Sequence, residues 1–412
     1  MHRVVVTGLG ALTPIGNDVE AFGKALKEGR SGAATITQFD ASAFKTSFAC
    51  EIKDLDVEAY FDKREARRLD KFSQYALIVA DEAISDAELD LKTLDLDRVG
   101  VIWGSGIGGL RSLEREIEFN TNSQTPRYNP FMIPKMIADI APGQISIKYG
   151  FRGVNFGTIS ACASATHALI SALDNIRLGR ADVVISGGSE AAVTKAGIGG
   201  FGSMKALSQR NDDPATASRP FDLHRDGFVL GEGGGCLVLE SLAHAEARGA
   251  KIYAELVGGG TTADAHHITA PHPEGAGAAA AMKITLEDAQ IEPKQIDYIN
   301  VHGTSTPLGD IAELKAIKSV FGDHIYDLSI SSTKSMTGHL LGASGAIEAV
   351  ASILAMRDSF IPPTINHSTD DPAIDSKLNL TFNKSETKGI DLALSNTFGF
   401  GGKNACVIFK KV

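Results

Sequence analysis

The sequence predicts an α/β protein made of two similar halves, and two observations support this. Runs of apolar, β-branched residues that end in glycine or serine alternate with amphipathic helical patterns, as expected of sheets covered by helices on both faces. Four segments of the first part also resemble four of the second, which divides the chain into 1–250 and 251–412. Such echoes also occur in α/β proteins without duplication, so both interpretations stay open. The paired segments are VVVTGLG near the start with 253–260, 98–109 with 295–310, 154–169 with 327–349, and 233–240 with 401–409.

Local patterns predict the individual elements in chain order. Strands are expected where a short apolar run is bounded by turn residues, as in VVVTGLG, RVGVIWG and IDYINV. No long linker or low-complexity tract separates the halves, so we expect them to pack closely against each other. Helices are expected where apolar residues recur at helical spacing, at 74–88, 163–178, 240–248, 276–289, 310–320 and 341–356.

Composition restricts the possible functions. The 412 residues carry a formal net charge of −10, so the protein as a whole should repel nucleic acid and anionic membranes, and an acidic partner would need a local basic patch. The N-terminal segment lacks the features of a signal peptide, and no apolar run is long enough to span a membrane. The four cysteines show no disulfide or zinc spacing. We therefore expect a cytoplasmic protein with reduced cysteines.

Cys162 is a candidate nucleophile. It lies in GTISACASATHALISAL (157–173), where a predicted strand runs directly into a helix. Backbone N–H groups and the positive end of a helix at such a corner favour the thiolate, the reactive form of cysteine. Small neighbouring residues leave room for a substrate. A buried cysteine more often only fills space, and we assign that role to Cys50, Cys236 and Cys406.

Two histidines differ from the others in their surroundings. His302 follows the strand-like IDYINV, and His339 comes one residue after a glycine and ahead of a predicted helix. Ligands meet open α/β sheets at corners of this kind. Two neutral imidazoles can each donate one N–H to the same oxygen and so stabilise an enolate. A hydrogen-bonded structural role is the alternative, while neither histidine has the spaced partners of a standard metal site.

Four motifs follow one another along the chain: GTISACAS, VHGTSTPLGD, TKSMTGHLLGASG and NTFGFGGKNA. In this order and spacing they resemble those of the β-ketoacyl-acyl carrier protein synthases, and the resemblance covers essentially the whole chain. The match is nearest to the type II elongating enzymes; Ile107 in GSGIGG supports this subtype, because type I relatives usually carry a smaller residue there. The resemblance implies a thiolase-like fold, in which the two halves form a five-layer αβαβα sandwich, and a homodimer.

The resemblance also implies a reaction. An acyl group moves from acyl carrier protein to Cys162; malonyl-acyl carrier protein then loses carbon dioxide, and the enolate attacks the acyl-cysteine, as in the elongation phase of type II fatty acid biosynthesis. His302 and His339 would stabilise the enolate, and Lys334 would support charge and geometry beside them. The backbone N–H of Phe400, with that of Cys162, corresponds to the oxyanion hole, and the Phe400 side chain to a gate. No cofactor is required, since phosphopantetheine arrives on the carrier protein.

Further positions match residues with binding roles in the family. Leu308 departs from the smaller residue often found there, which leaves the shape of the malonyl pocket open. In some relatives the positions of Asn300, Glu348, Ser395 and Asn396 surround a structural cation, although these groups could instead bond one another. The positions implied in substrate binding are Ile107, Phe201, Thr269, Thr304, Thr306, Gly399 and Gly401.

The segment KREARRLDKF (63–72) predicts a basic helical face. Arg64, Arg67, Arg68 and Lys71 are spaced i, i+3, i+4 and i+7. Relatives dock their acidic carrier protein on the matching residues, and Lys205 would extend this patch. A simple solvated charged face is the alternative.

Related enzymes with other motifs fit less well. A thiolase would carry a second catalytic cysteine near the C-terminus, but Cys406 lies in an apolar strand pattern after GFGG. The initiating synthases combine cysteine with a His–Asn pair, whereas this chain offers two histidines. A non-catalytic chain-length partner subunit lacks the nucleophile, while Cys162 is present. A ketosynthase of a polyketide pathway remains the alternative function.

Overall fold

The computed structural model describes all 412 residues; ten of its fourteen strands form one large sheet, and the other four form two small sheets of two strands each. No helix combines the length and apolar character needed to cross a bilayer. The strands are β1 (Val4–Leu12), β2 (Ala34–Thr35), β3 (Phe48–Ala49), β4 (Val99–Gly104), β5 (Asn155–Thr158), β6 (Val183–Glu190), β7 (Gly233–Ser241), β8 (Ala254–Ala263), β9 (Tyr298–Asn300), β10 (Ser329–Ser331), β11 (Phe360–Ile361), β12 (Glu386–Thr387), β13 (Leu392–Gly399) and β14 (Lys403–Lys410).

Thirteen α-helices connect and cover the strands. Helix α10 has the bounds predicted from the sequence, and α3, α7, α9, α11 and α13 lie within a few residues of the predicted ones. The helices are α1 (Val19–Glu28), α2 (Lys63–Ala66), α3 (Lys71–Asp86), α4 (Leu110–Asn120), α5 (Met132–Met136), α6 (Ile140–Tyr149), α7 (Ser164–Arg177), α8 (Lys195–Ser203), α9 (Leu242–Ala247), α10 (Ala276–Ala289), α11 (Gly309–Phe321), α12 (Lys334–Thr337) and α13 (Ser344–Asp358).

The sheet repeats one pattern twice. Its strand order is β10-β9-β13-β14-β8-β1-β7-β6-β4-β5, so five strands of the first half adjoin five of the second. In each half three neighbouring strands are parallel, namely β5-β4-β6 and β10-β9-β13, and two antiparallel strands follow. Strands β1 and β8 join the halves through two residue pairs. Every pair of echoed segments therefore occupies corresponding positions in the two halves, as a duplication predicts.

The buried side chains divide into layers, as the resemblance implied. One core lies between the first half's strands and α3 with α6, and a second between the other half's strands and α10 with α11. A third core surrounds α7 and α13, whose residues pack against strands of both halves. Helices on both outer faces and in the middle give the αβαβα order of a thiolase-like fold.

Glycines let the outer helices approach the first strand of each half. A Cβ atom on Gly10 would lie 2.0 Å from the carbonyl oxygen of Val79 on α3. In the other half, a Cβ atom on Gly260 would lie 2.6 Å from the carbonyl oxygen of Ala281 on α10. Since a side chain at either position would collide with helix backbone, both strands use glycine for the same reason.

The predicted basic helix over 63–72 is wrong as a single helix. Helix α2 ends at Ala66, and Asp70 begins α3 by accepting a hydrogen bond from the backbone N–H of Phe72. An aspartate favours the N-cap position over the helix interior, because its side chain bonds free backbone donors there. Lys71 consequently starts a new helix and does not share one helical face with Arg64.

Candidate active site

A strained turn presents Cys162 between β5 and α7. Ala161 has a φ of 51°, a left-handed conformation that costs free energy for any residue other than glycine. Cys162 follows it and precedes the N-cap residue Ala163 of α7. A Cβ atom on Gly399 would lie only 3.1 Å from the backbone nitrogen of Cys162, so glycine there lets the β13 end approach the turn.

The two histidines come from the second half and meet this sulfur. His302 follows β9 and His339 follows α12. The Nε2 atom of His339 lies 3.0 Å from the Sγ atom of Cys162, and its Nδ1 atom lies 2.9 Å from the hydroxyl oxygen of Ser344. The ring of His302 lies 5.3 Å from that of His339, nearly perpendicular to it. One ligand-type atom from each of the three residues lies within 4.8 Å of the others.

Burial controls the protonation of Cys162. Burial raises the pKa of the thiol to about 12, although the charge of Lys334 and the backbone N–H groups of Phe400 and Cys162 act to lower it. The backbone N–H groups at the strand–helix corner favour the thiolate, as predicted, but burial has the larger and opposite effect on the pKa. A resting thiol beside His339 follows.

Both histidines are neutral near pH 7. Burial, followed by the positive charge of Lys334, lowers the pKa of His302 and of His339 well below the usual value. A neutral imidazole carries one N–H, so each ring can donate one hydrogen bond. The Nδ1 atom of His302 is buried without a hydrogen-bond partner, whereas Ser344 binds that of His339. The pair can therefore donate two N–H groups to one oxygen.

A cavity of about 730 Å³ opens in front of these three side chains. Phe228 packs edge-on against His339 at 5.3 Å, and Leu308, largely exposed, lines the rim. The cavity lining includes most of the positions predicted to bind substrate, and Lys205 as well. They are Phe201, Thr269, Thr304, Thr306 and Gly399, and Phe400, the predicted gate, lines the cavity as well.

Two predicted substrate positions lie outside the cavity lining. Ile107 is 38% exposed on the loop that follows β4, and Gly401 faces outward at the tip of the turn between β13 and β14. Gly401 has a φ of 82°, so its contribution is to the shape of that turn. The single chain thus does not place these two residues against this cavity, and their part in substrate binding stays a prediction.

Comparison with known proteins decides the family. The description "Beta-ketoacyl synthase, N-terminal domain" matches residues 1–245, and "Beta-ketoacyl synthase, C-terminal domain" matches residues 253–368. The chain belongs to the β-ketoacyl synthase family. The resemblance seen in the motifs is thereby confirmed.

Relatives of this β-ketoacyl synthase match it over almost their whole length. The 3-oxoacyl-[acyl-carrier-protein] synthase 2 of Staphylococcus aureus (strain COL) is 50% identical over 409 residues, with 99% of this chain and 98% of that protein covered. The protein of the same description from Synechocystis sp. is 49% identical over 409 residues, with the same shares covered. Among solved structures, a type II polyketide ketosynthase in complex with its acyl-carrier protein is 35% identical, with a TM-score of 0.91 and with 100% and 99% of the two chains covered.

A buried ion pair lies behind the histidines of the synthase. The Nζ atom of Lys334 donates a hydrogen bond to Glu348 on α13, and only 2% of each side chain is exposed. Burial raises the pKa of Glu348 to about 7 in spite of the lysine. Lys334 thus has the position beside the site that the resemblance implied, and its charge acts on both imidazoles.

Sequence reasoning missed the groups that hold the histidines. Glu313 on α11 accepts hydrogen bonds from the backbone N–H groups of His302 and Gly303, both at 2.8 Å. Ser344 begins α13 and binds His339. The signals were present, because Glu313 interrupts the apolar face of a predicted helix and Ser344 belongs to the same motif as His339.

The residues predicted to surround a cation are buried and include unpaired oxygen atoms. Asn300 Oδ1, Ser395 Oγ and Glu348 Oε2 all lack a hydrogen-bond partner, and Asn300 pairs with Ser395 in the sheet. Asn396 Oδ1 also lacks a partner, but its Nδ2 donates a hydrogen bond to Glu313, and successive side chains of β13 point to opposite faces, so Asn396 lies on the other side of the strand from Ser395. Three buried oxygens without donors suit a hard cation such as Mg²⁺ or K⁺.

The basic residues predicted to bind a carrier protein separate into two groups. Arg64, Arg67 and Arg68 are exposed. Lys71 instead points inward, where its Nζ atom donates a 2.8 Å hydrogen bond to Gln38 and lies 4.0 Å from the buried Glu232. Lys71 therefore offers less of its side chain to a partner than the three arginines do, and its part in docking stays a prediction.

Proposed function

We propose that this synthase elongates acyl chains on acyl carrier protein by decarboxylative condensation with malonyl-acyl carrier protein. The observation that carries the proposal is the meeting of a buried thiol with two neutral imidazoles at the base of one cavity. The product is a β-ketoacyl thioester two carbons longer. This is the elongation step of type II fatty acid synthesis, and we also propose that it takes place in the cytoplasm.

The first step loads the enzyme. The sulfur of Cys162 attacks the carbonyl carbon of the acyl thioester, and the bond from that carbon to the pantetheine sulfur breaks. His339 Nε2, 3.0 Å from the thiol, accepts its proton and delivers it to the departing pantetheine thiolate. The backbone N–H groups of Cys162 and Phe400 lie near the sulfur and would bind the oxygen of the tetrahedral intermediate.

The second step forms the carbon–carbon bond. Between the two steps the neutral imidazole of His339 changes tautomer by proton exchange with solvent, so that Nε2 carries the N–H and Nδ1 accepts a hydrogen bond from the Ser344 hydroxyl. The malonyl group then loses carbon dioxide, and the electron pair of the broken bond becomes an enolate whose oxygen accepts N–H groups from His302 and His339. The enolate carbon attacks the acyl carbonyl carbon, the bond to Cys162 breaks, and the sulfur regains a proton from solvent. Lys334 favours this step by keeping both imidazoles neutral.

Replacing Cys162 with alanine tests the proposal directly. Condensation of acyl- and malonyl-acyl carrier proteins should stop, because no acyl-enzyme forms, while some decarboxylation of malonyl-acyl carrier protein should continue on the intact histidine pair. Intact-mass spectrometry distinguishes the two products. Condensation at the wild-type rate by the variant would refute the assignment, and loss of decarboxylation in Cys162→Ala but not in His302→Ala would refute the division of roles.

Fatty acyl groups are the favoured substrates over polyketide intermediates. Identity is 50% to the relative described as 3-oxoacyl-[acyl-carrier-protein] synthase 2 and 35% to the polyketide ketosynthase. Assays with saturated acyl-carrier proteins of graded length, compared with poly-β-keto substrates, separate the two functions. A non-catalytic chain-length subunit is disfavoured because Cys162 is present and reaches the cavity.

An acidic carrier protein is the proposed partner of the exposed arginines. Arg64, Arg67 and Arg68 form a cationic patch on a protein whose net charge is −10, and Lys205 lies at the cavity itself. A phosphopantetheine arm anchored between the arginines and Lys205 would enter past Thr304 and Thr306, whose hydroxyl groups are 3.1 Å apart. The polyketide ketosynthase that this chain resembles binds an acyl-carrier protein, which supports the same class of partner here.

A homodimer is proposed from the edge of the sheet. Strand β5 is the last strand in the order, and its surroundings expose Phe156 (39%) and Ile159 (63%). Phe131 and Ile133 near α5 are also exposed. An uncovered apolar edge strand is unusual in a monomer and can pair with a second copy of itself. Ile159→Glu should give a monomer in sedimentation velocity, and a wild-type protein that is monomeric at micromolar concentration would exclude the dimer.

The buried oxygens of Asn300, Ser395 and Glu348 are proposed to hold a structural cation. A bound ion would raise the midpoint of thermal unfolding in K⁺ or Mg²⁺ relative to tetramethylammonium. Asn300→Ala should abolish this increase, whereas Asn396→Ala, whose side chain lies on the opposite face of β13, should retain it. Equal midpoints in all three salts would exclude the ion.

A further inference from the structure

Glu190 is a fully buried carboxylate at the end of β6 that plays no part in the reaction described above. Its Oε2 atom accepts hydrogen bonds from the backbone N–H groups of Gly106 at 2.7 Å and Gly342 at 3.1 Å. Its Oε1 atom accepts three more, from the hydroxyl of Ser105 and the backbone N–H groups of Ile107 and Gly108. Every one of these contacts is a donor, so the group at 190 must offer two acceptor oxygens.

The donors lie on loops from opposite halves of the chain. One loop follows β4 and the other follows His339. At their junction a Cβ atom on Gly106 would lie 3.3 Å from the carbonyl oxygen of Ala161 and 3.3 Å from the backbone nitrogen of Gly342. Gly106 is thus pressed between the strained turn before Cys162 and the histidine loop. A carboxylate that holds this junction therefore acts on the position of both reacting groups.

We propose that Glu190 is a positioning residue, which locks the loop after β4 to the loop after His339 and so fixes the wall behind Cys162. The proposal rests on the proposed condensation for its effect on activity. The effect of Glu190 on the ionisation of the Cys162 thiol does not depend on that reaction, because the thiol is titrated in the free enzyme.

The charge of Glu190 has a second consequence. Burial raises the pKa of Glu190 to about 7, so above that pH its negative charge adds to burial in raising the pKa of the Cys162 thiol. Replacement by a neutral group of the same shape should therefore lower the pKa of the thiol while it loosens the wall behind it. Exposure of the sulfur alone would also ease its ionisation, so the shift reports the charge of Glu190 only when the Trp103 emission and the urea unfolding midpoint of the variant match those of the wild type.

The isosteric variant Glu190→Gln tests this. Whichever way the glutamine amide turns, its NH₂ group faces N–H donors, so at least one loop is released. The turnover number for condensation should fall about tenfold or more, as expected when a charge-assisted hydrogen bond beside a reacting group is lost. The rate of Cys162 alkylation by iodoacetamide, followed by peptide mass spectrometry, should reach a given value at lower pH than in the wild type.

A matched control retains the charge. Ser105→Ala removes one donor, and we expect the alkylation profile to be unchanged and turnover to stay within about twofold of the wild type. The emission of Trp103, the only tryptophan, reports local folding because its indole N–H donates a 2.9 Å hydrogen bond to Ser189. Wild-type turnover in Glu190→Gln, or reduced turnover with an unshifted alkylation profile, would overturn the proposal. If condensation proves not to be the reaction, the alkylation result still decides the role of Glu190.

Discussion

Removing one partner of the Lys334–Glu348 pair should cost far more stability than removing both. The two side chains are 98% buried, so Lys334→Met leaves a carboxylate without a counter-charge in the interior. Breaking a buried pair in this way costs about 3–5 kcal/mol of unfolding free energy, whereas replacing both charges by neutral groups is often close to neutral. We therefore expect Lys334→Met/Glu348→Gln to unfold at a urea concentration nearer to the wild type than either single variant does.

The penalty of Lys334→Met should also depend on pH. Burial raises the pKa of Glu348 to about 7 although the lysine acts to lower it, so the pKa of Glu348 in the variant lies higher still. In the unfolded chain the same carboxyl ionises at a pKa of about 4.3. Between these values the unfolded state releases the proton and the folded state retains it, so the variant loses stability as pH rises. The penalty should be larger at about pH 8.5 than at about pH 6.

The pH dependence of activity should distinguish the double variant from the wild type, even where their stabilities are similar. The charge of Lys334 lowers the pKa of His302 and of His339, so its loss should raise both pKa values and move the acid limb of malonyl decarboxylation to higher pH. The double variant should regain stability, but the acid limb of its pH–rate profile should stay at the higher pH. Urea unfolding followed by Trp103 emission and a pH–rate profile measure the two effects. A double variant that loses the sum of the single penalties, or an acid limb that does not move, would refute this account of the pair.

Three further variants or profiles test other parts of the site. Since burial raises the pKa of Cys162 to about 12, its alkylation rate in the wild type should still be rising at about pH 9, and a plateau near pH 7 would contradict a resting thiol. Phe400→Ala should weaken the discrimination between loaded and unloaded enzyme, measured as malonyl decarboxylation before acylation; unchanged acylation kinetics would remove the gating role. Arg67→Glu with Arg68→Glu should raise the apparent KM for acyl-carrier protein by about tenfold and leave that for a short pantetheine thioester unchanged. Lys294→Glu serves as the control, because Lys294 precedes β9 whereas the site residue His302 follows it, and this variant should leave both KM values unchanged. Equal effects of the arginine variants on both substrates would reject docking at the arginines.

The chain order of strands and helices was predictable because it depends on local signals. The segment 276–289 has helical spacing throughout and becomes α10 with those bounds. The echo between 98–109 and 295–310 was also informative, since the two strands occupy corresponding positions next to β6 and β13. Helix α4 was not predicted, although its residues 110–120 are amphipathic, because charged residues dominate that segment and few of its side chains are buried.

Properties that depend on surroundings were not predictable from local sequence. The corner at Cys162 was located correctly, but the state of its thiol depends on burial by groups from both halves. The spacing of Arg64 and Lys71 fits one helix, yet a single aspartate between them starts a new one and turns Lys71 towards Gln38. The motif around Ile107 does not determine which way its side chain points, because the fold around a loop directs its side chains, and Ile107 lies outside the lining of the cavity in the single chain.

The duplicated sheet explains why one site contains groups from such distant segments. In each half three parallel strands end at the same edge: β4, β5 and β6 in one, and β9, β10 and β13 in the other. Cys162 lies in the connection from β5 to α7, and His339 in the connection from β10 to α13, after the short helix α12, so the nucleophile and its base come from equivalent connections of the two halves. Each half also supplies a buried glutamate whose oxygens accept backbone N–H groups of a neighbouring loop, Glu190 in one and Glu313 in the other. Neither half alone contains both the thiol and the imidazoles, so the reaction requires the contact between the halves. Glu190 and Glu313 hold the loops at this contact, and the distances between the thiol and the imidazoles therefore depend on both carboxylates.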